Sequence, residues 1–383
     1  MSSYAFVDEV AVNDFVRGAT FFSTGGGGSP EDGLIALNSE FEKGKNVGWV
    51  DIGEIPDSAL VVCPFMMGSI APHTPKVKQE MATFGLAEGK PKYVRKEGVV
   101  EAIKTLEEFT HKKISAIIPL ELGGSNTSVA VAAAASLGLP CINGDYAGRA
   151  IPEISQTIPS ILGKALCPIA SVDLWSNKTY IESTISYAMA ERIGKLISVA
   201  AYGPVSQAGF LLPVREVKEC YIPNTLVECL NVGSTIRKAR ETGEDPITKV
   251  KSLLNAWILF RGIITEKEWG DKEGYYWGTH TITGEKQFTG HKFKIWFKNE
   301  NHISWIDDKP YVTSPDMLIT VDDTTGEPIP NPFIKEGDSV AVIGVRAREQ
   351  FRNERGINIL EPAHFGFKDI KHIPIEELTK IVE

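Results

Sequence analysis

Glu121 directly follows an apolar run, Ile114-Ser115-Ala116-Ile117-Ile118-Pro119-Leu120, and that placement is the first sign of chemistry in this chain. An ionised carboxylate at the end of a buried strand must find partners or have its pKa raised by desolvation. A raised pKa suits a general acid or base near neutral pH. The structural alternative is a carboxylate that accepts N–H bonds from the following turn. Asn126 stands just before Thr127, where it either N-caps the next helix or lines a pocket at the strand-to-helix turn. Asp145, Arg149 and Glu153 recur at a spacing that on a helix would give a surface ion-pair ladder of little weight. Gly144, Gly148 and Pro152 argue against a regular helix, so the segment reads as a loop in which two acids flank an arginine. There Arg149 could clamp a carboxylate or imide oxygen bidentately, while Asp145 orients a water or binds a divalent metal.

A second candidate is the run Thr24-Gly25-Gly26-Gly27-Gly28-Ser29-Pro30-Glu31. Ser29 and Pro30 read as the N-cap and first turn of a helix. Ordering four glycines costs so much backbone entropy that an ordered run implies a path, or a close approach, that side chains would block. A loop of this kind leading into a helix presents free N–H groups to an anion or carbonyl; the alternative is a plain turn. No Gly-Lys-Ser/Thr follows, so it is not a P-loop, and the Gly-x-Gly-x-x-Gly context of a dinucleotide site is missing. His73, in a Pro-bounded loop, has no His-x-His or His-Glu-x-x-His partner, although with Cys63 and Asp145 it could join a metal site built from separate strands. Ser69 follows Gly68 without forming a Gly-x-Ser-x-Gly elbow, and is expected to contact substrate instead.

The elements that must position these residues alternate in type. Ala59-Leu60-Val61-Val62-Cys63-Pro64, the run Ile114 to Leu120 and Leu139-Pro140-Cys141-Ile142-Asn143 read as buried strands. Val100 to Phe109 and the alanine-rich stretch Thr127 to Leu137, ended by Gly138, read as helices between them. This pattern predicts an α/β domain over residues 1–175, with a helix-packed, largely parallel or mixed sheet. Ligands of such sheets bind at the carboxyl ends of strands, where Ser69, Glu121 to Asn126 and Asp145 to Glu153 all fall. Residues 176–383 read as a helical connector (Glu182 to Val199, Thr225 to Thr242, Asp245 to Trp257) followed by a mainly β domain. Period-two runs such as Phe293 to Phe297, Met317 to Val321 and Ser339 to Ile343 mark its strands.

Composition narrows the partners. A net charge of −9 argues against nucleic acid or an anionic membrane as the main partner. No apolar run is long enough to span a bilayer, and the N-terminal residues lack a signal-peptide pattern, so a cytoplasmic protein is expected. The five scattered cysteines read as reduced, mostly buried thiols. A small-molecule substrate and a symmetric homo-oligomer are the expected partners.

The motifs Thr24 to Pro30, Glu121-Leu-Gly-Gly-Ser-Asn126, Gly144-Asp145 and Gly148-Arg-Ala-Ile-Pro-Glu153 resemble those of the S-methyl thiohydantoin desulfurase-like family. Asn299-Glu300-Asn301, Ser314-Pro315-Asp316 and Thr325-Gly-Glu-Pro328 extend the resemblance over nearly the whole chain. It implies an N-terminal α/β domain, a mainly β C-terminal domain and hydrolytic chemistry on a five-membered, imide-like ring. The family's association with hydantoinase/oxoprolinase proteins implies such a protein as a partner, with this chain as a non-catalytic subunit or a small-molecule binder as the alternatives to an enzyme. Carried over to this chain, the site is Glu121, Asp145 and Arg149 as catalytic residues. Gly25, Gly26, Gly27, Gly28 and Asn126 would bind substrate; the residues' own places at the strand ends add Ser69, Gly124 and Glu153 to these, and make His73 with Asp145 the candidates for a metal. The stretch from Gly68 to His73 departs from the family by being longer than the expected Gly/Pro/Thr turn, which reshapes the pocket edge.

Overall fold

In a computed structural model, the protein is described for residues 3–68, 73–86, 92–93 and 96–378. The chain opens with a helix, Glu9–Phe22, capped by Asp8, whose side chain accepts from the Ala11 N–H. The glycine run then turns into a second helix, Pro30–Phe41, with Ser29 as the expected N-cap and Pro30 in its first turn. The first buried run becomes the strand Leu60–Met67, while the second shrinks to Ala116–Ile117, because Pro119 and the turn beyond it end the ladder. The third is held only by single bridges from Cys141 and Ile142.

These strands join a five-stranded mixed sheet in the order Ala116–Ile117, Leu60–Met67, Val205–Pro213, Ile169–Val172, Lys178–Ile181. Its first pair is parallel and the other pairs are antiparallel. Val205–Pro213 thus returns to the centre of the first sheet, past the sequence boundary at 175/176. The alanine-rich helix, Asn126–Leu137, is buried on nearly every side, as a helix without a polar face must be, and ends at Gly138 with φ 68°. Its small side chains leave no spare room, so enlarging Ala132 would cost about 1–3 kcal/mol in overpacking.

Helices Glu9–Phe22 and Thr225–Glu241 lie in close contact because each offers a glycine to the other's backbone. A Cβ on Gly18 would strike the Cys229 carbonyl, and one on Gly233 would strike that of Asp14. The period-two segments form a second, antiparallel sheet of seven strands, curled into a half-barrel. Its order is Lys309–Thr313, Glu300–Ile306, Lys292–Lys298, Tyr275–Gly284, Trp257–Lys272, Ser339–Val345, Met317–Asp322. Alternate side chains such as Phe293, Ile295 and Ile282 fill its own core. Among the described residues no helix is long and apolar enough to cross a membrane.

Candidate active site

Between the two sheets lies a cavity of about 70 Å³, enough for several waters, walled by Gly27, Gly28, Glu121, Asn126, Ile151 to Ile154, Glu191, Lys195, Asn299 and Glu300. The loop after Ala116–Ile117 carries Glu121 into this wall. Its Oε1 accepts from Asn126 Nδ2, and its Oε2 accepts from the Ile151 N–H at 2.8 Å. Burial pushes the carboxyl up to about 7; the two donors and Lys195 pull the other way, and Asp145 adds to the rise. Asn126 is therefore not the helix cap. It is the first helical residue, after Ser125, and Thr127 does the work of the turn by accepting from the Gly123 N–H while donating to the Glu121 carbonyl.

The glycine run is ordered along its length. Gly25, Gly27 and Gly28 have φ of 98°, 68° and 80°, a region that side chains rarely adopt. Gly27 and Gly28 line the cavity, whereas Gly25 and Gly26 back it against the second sheet. A Cβ on Gly25 would meet the Asn331 side chain, and one on Gly26 would strike Glu300 Oε1. The Gly27 carbonyl accepts from the Ser125 and Asn126 N–H groups, which ties the loop to the start of the alanine-rich helix. The N–H groups of Gly27 and Gly28 find no acceptor among the described residues.

A hairpin brings Glu300 to the same cavity. Strands Lys292–Lys298 and Glu300–Ile306 pair through Lys298 and Glu300, so Asn299 alone forms the tip, at φ 58°. The tip docks on the glycine run, with the Asn301 N–H donating to the Thr24 carbonyl at 2.7 Å. Glu300 is 2% exposed, and its Oε2 meets no partner among the described residues. Burial raises its pKa well above the carboxylate range; Glu121 adds to the rise, and Arg149 and Lys195 oppose it.

The helix Tyr187–Ala200 closes the remaining side. Lys195 Nζ donates to the Gly274 carbonyl at 3.3 Å, sits 3.7 Å from Glu191 and lies over the Tyr275 ring. Glu191 accepts from the Ile154 N–H and the Tyr275 hydroxyl, and burial raises its pKa. An adjoining pocket of about 360 Å³ shares Glu153, Glu191 and Lys195 with the cavity. Glu153 is on the wall but engaged, accepting from Lys298 on one oxygen and pairing with His364 at 2.9 Å on the other. Burial opposes its ionisation, yet His364 and Lys298 hold it down at about 2.

The structure does not bring every expected residue to the cavity. Arg149 lies 2% exposed beneath the wall rather than on it. Its donors reach the Ala150, Pro315 and Asn301 carbonyls and Thr24 Oγ1, so the guanidinium places four of its five N–H groups on the protein itself, three of those bonds going to backbone. Asp145 is sealed under its own turn, where one oxygen accepts from the Ala147 and Gly148 N–H groups. Burial pushes it up to about 6 against those donors and Thr225. Gly124 abuts Thr20 and Pro30 instead of lining the cavity. Ser69 lies outside the described residues.

His73 and Asp145 are not brought together. His73 is exposed and lines a different pocket with Val77, Tyr202 and Trp269. Cys63 is buried in its strand, where burial first and then Asp145 and Glu121 drive its thiol pKa well up. Among the described residues, no group of three or more His, Cys, Asp or Glu is placed to hold a metal ion. The polar cavity residues that the sequence did not assign to the site are Glu191, Lys195, Asn299 and Glu300, the last two standing there only among the motifs of the family resemblance.

Two family models match the chain. The one described as the S-Me-THD-like N-terminal domain spans residues 10–183, and the one described as the S-Me-THD-like C-terminal domain spans 185–375. Among solved structures, a crystal structure of a protein from Chromobacterium violaceum aligns with a TM-score of 0.73 at 17% identity. The alignment covers 97% of this chain and 99% of that one, a likeness of fold alone at such identity. No curated protein matches the chain.

Proposed function

The chain belongs to the S-Me-THD-like family, and from that premise we propose that it is a hydrolase acting on a small five-membered cyclic amide or imide, an S-methyl thiohydantoin or a hydantoin. The observation that carries this reading is the Glu121 carboxylate on the cavity wall, raised to about 7 and aimed by two donors. A base with that pKa is half ionised at neutral pH, where it can both take a proton from water and return it. Asn126 and Ile151 fix its orientation, leaving each oxygen further lone-pair capacity for a water in the cavity.

Attack on the ring carbon moves negative charge onto the ring. Gly27, Gly28 and Lys195 line the cavity, and their N–H and ammonium groups are the ones that would receive it. Arg149 and Asp145 act at one remove, by holding the loop that supplies Ile151 and the strand tip that supplies Glu300. The substrate is confined to the cavity and the adjoining pocket. The test is to incubate the purified protein with S-methyl thiohydantoins and hydantoins, following free thiol and ring opening. Thiol or ring-opened product should form with wild type and fall by about 10²–10⁴-fold with Glu121→Gln. Absence of turnover on all of these rings would refute the reading.

A further inference from the structure

Among the described residues, Glu300 is the one cavity carboxylate with a buried oxygen that nothing satisfies. Its Oε2 is buried and without a partner among the described residues, and its Oε1 packs against Gly26, where even a methyl group would collide. The charged groups that face it come from three other elements: Glu121 from the loop after Ala116–Ile117, Arg149 from the loop after Gly144–Asp145, and Lys195 from the helix Tyr187–Ala200. None neutralises it by contact. Arg149 directs its donors to backbone carbonyls and Thr24, and Lys195 directs one to the Gly274 carbonyl and lies 3.7 Å from Glu191. Glu121 brings a second carboxylate to the same wall.

A buried carboxylate without donors is costly, whereas the neutral acid carries its own O–H donor and can offer it to the cavity. We propose that Glu300 is the proton donor of the reaction, giving its proton to the ring nitrogen while Glu121 activates water. The proposal rests on the hydrolase reading. It also accounts for the glycine run, since Gly26 is the floor that lets Glu300 reach the cavity at all.

The step balances for an S-methyl thiohydantoin, whose reacting carbon is doubly bonded to nitrogen and singly bonded to sulfur. The water oxygen bonds to that carbon as Glu121 takes one water proton. The C=N electron pair moves to nitrogen, which takes the Glu300 proton. Collapse then returns the new hydroxyl's proton to Glu300 as C=O forms. The C–S bond breaks with its pair on sulfur, which takes the proton held by Glu121. The products are a hydantoin and methanethiol, and both carboxyls end as they began.

The test compares wild type with Glu300→Gln on an S-methyl thiohydantoin and on an analogue alkylated at both ring nitrogens that flank the reacting carbon, permanently cationic and needing no proton there. On the neutral ring, kcat should fall by about 10²–10⁴-fold with a much smaller change in KM, and the alkaline limb of the pH profile should vanish. On the cationic ring the loss should largely disappear. A protonated-carboxyl infrared band that persists above pH 7, where Glu121 is ionised, should be present in wild type and in Glu121→Gln, and lost from Glu300→Gln. If Glu300→Gln fails to fold, Glu300→Asp should keep the alkaline limb at reduced kcat, and an Asp variant without that limb counts against the proposal. Wild-type turnover with an unaffected Glu300→Gln, or an equal loss on both rings, overturns the donor role alone. No wild-type turnover of either ring removes the hydrolase reading and the donor role together.

Discussion

Asn126 donates its side-chain amide to Oε1 of Glu121, joining the first residue of the alanine-rich helix to the carboxylate that ends the preceding strand run. That bond favours the ionised carboxylate, so it holds the Glu121 pKa below the value that burial alone would set. Replacing Asn126 by Ala should therefore move the acid limb of the pH–rate profile to higher pH. A lost hydrogen bond worth about 1 kcal/mol would lower activity several-fold at mildly acidic pH and much less at alkaline pH. A uniform loss at all pH values would mean that Asn126 acts on substrate and not through Glu121.

Glu121 should also leave a mark on stability. The folded protein holds its proton up to about pH 7, whereas the unfolded chain releases it near 4.5, so the stabilising effect of protonation is full below 4.5 and is lost as pH rises through 7. Between pH 5 and 8, wild type should lose stability relative to Glu121→Gln by on the order of 3 kcal/mol. Paired thermal melts at the two pH values check this. A difference that stays constant with pH would show that Glu121 ionises as freely in the fold as outside it.

Gly26→Ala places a methyl group against Glu300 Oε1 at a backbone angle that alanine tolerates. Activity should drop by at least about 10²-fold, with an overpacking cost of about 1–3 kcal/mol. Since the clash is with one side chain, shortening it should relieve the cost. In a double-mutant cycle, Gly26→Ala with Glu300→Ala should be more stable than the sum of the two single changes. Strict additivity would place the two residues out of contact.

Arg149→Met removes a guanidinium that bonds Thr24, Asn301 and Pro315, and so joins the glycine run to the second sheet. Leaving those buried acceptors unpaired should cost about 3–5 kcal/mol in chemical denaturation. Such a loss separates a backbone clamp from a substrate clamp, which would raise KM in a protein of normal stability.

How far the chain could be read in advance follows from the range of each interaction. The helices Asn126–Leu137, Tyr187–Ala200 and Thr225–Glu241 carry their signals locally, in composition and in stop residues such as Gly138. Glu121 was legible for the same reason, since an acid closing an apolar run is conspicuous. Arg149 and Asp145 stood out too, but what they bond was not legible: the partners of Arg149 lie as far away as Thr24 and Pro315. Glu300 sits in an alternating strand pattern that does not say which face meets a glycine loop remote in sequence. Lys195 and Glu191 belong to the helix Tyr187–Ala200, whose local pattern does not say which polar positions meet a cavity built from remote segments. Val205–Pro213 was missed as the central strand of the first sheet because pairing with Leu60–Met67 spans most of the N-terminal half.

The most direct measurement is the pH dependence of thiol release from an S-methyl thiohydantoin by wild type and by Glu121→Gln. Wild-type kcat/KM should rise through about pH 7 as Glu121 ionises, and the variant should lose both the rate and that limb. Thiol release by Glu121→Gln at the wild-type rate, with the same acid limb, would contradict the role of Glu121 as the base.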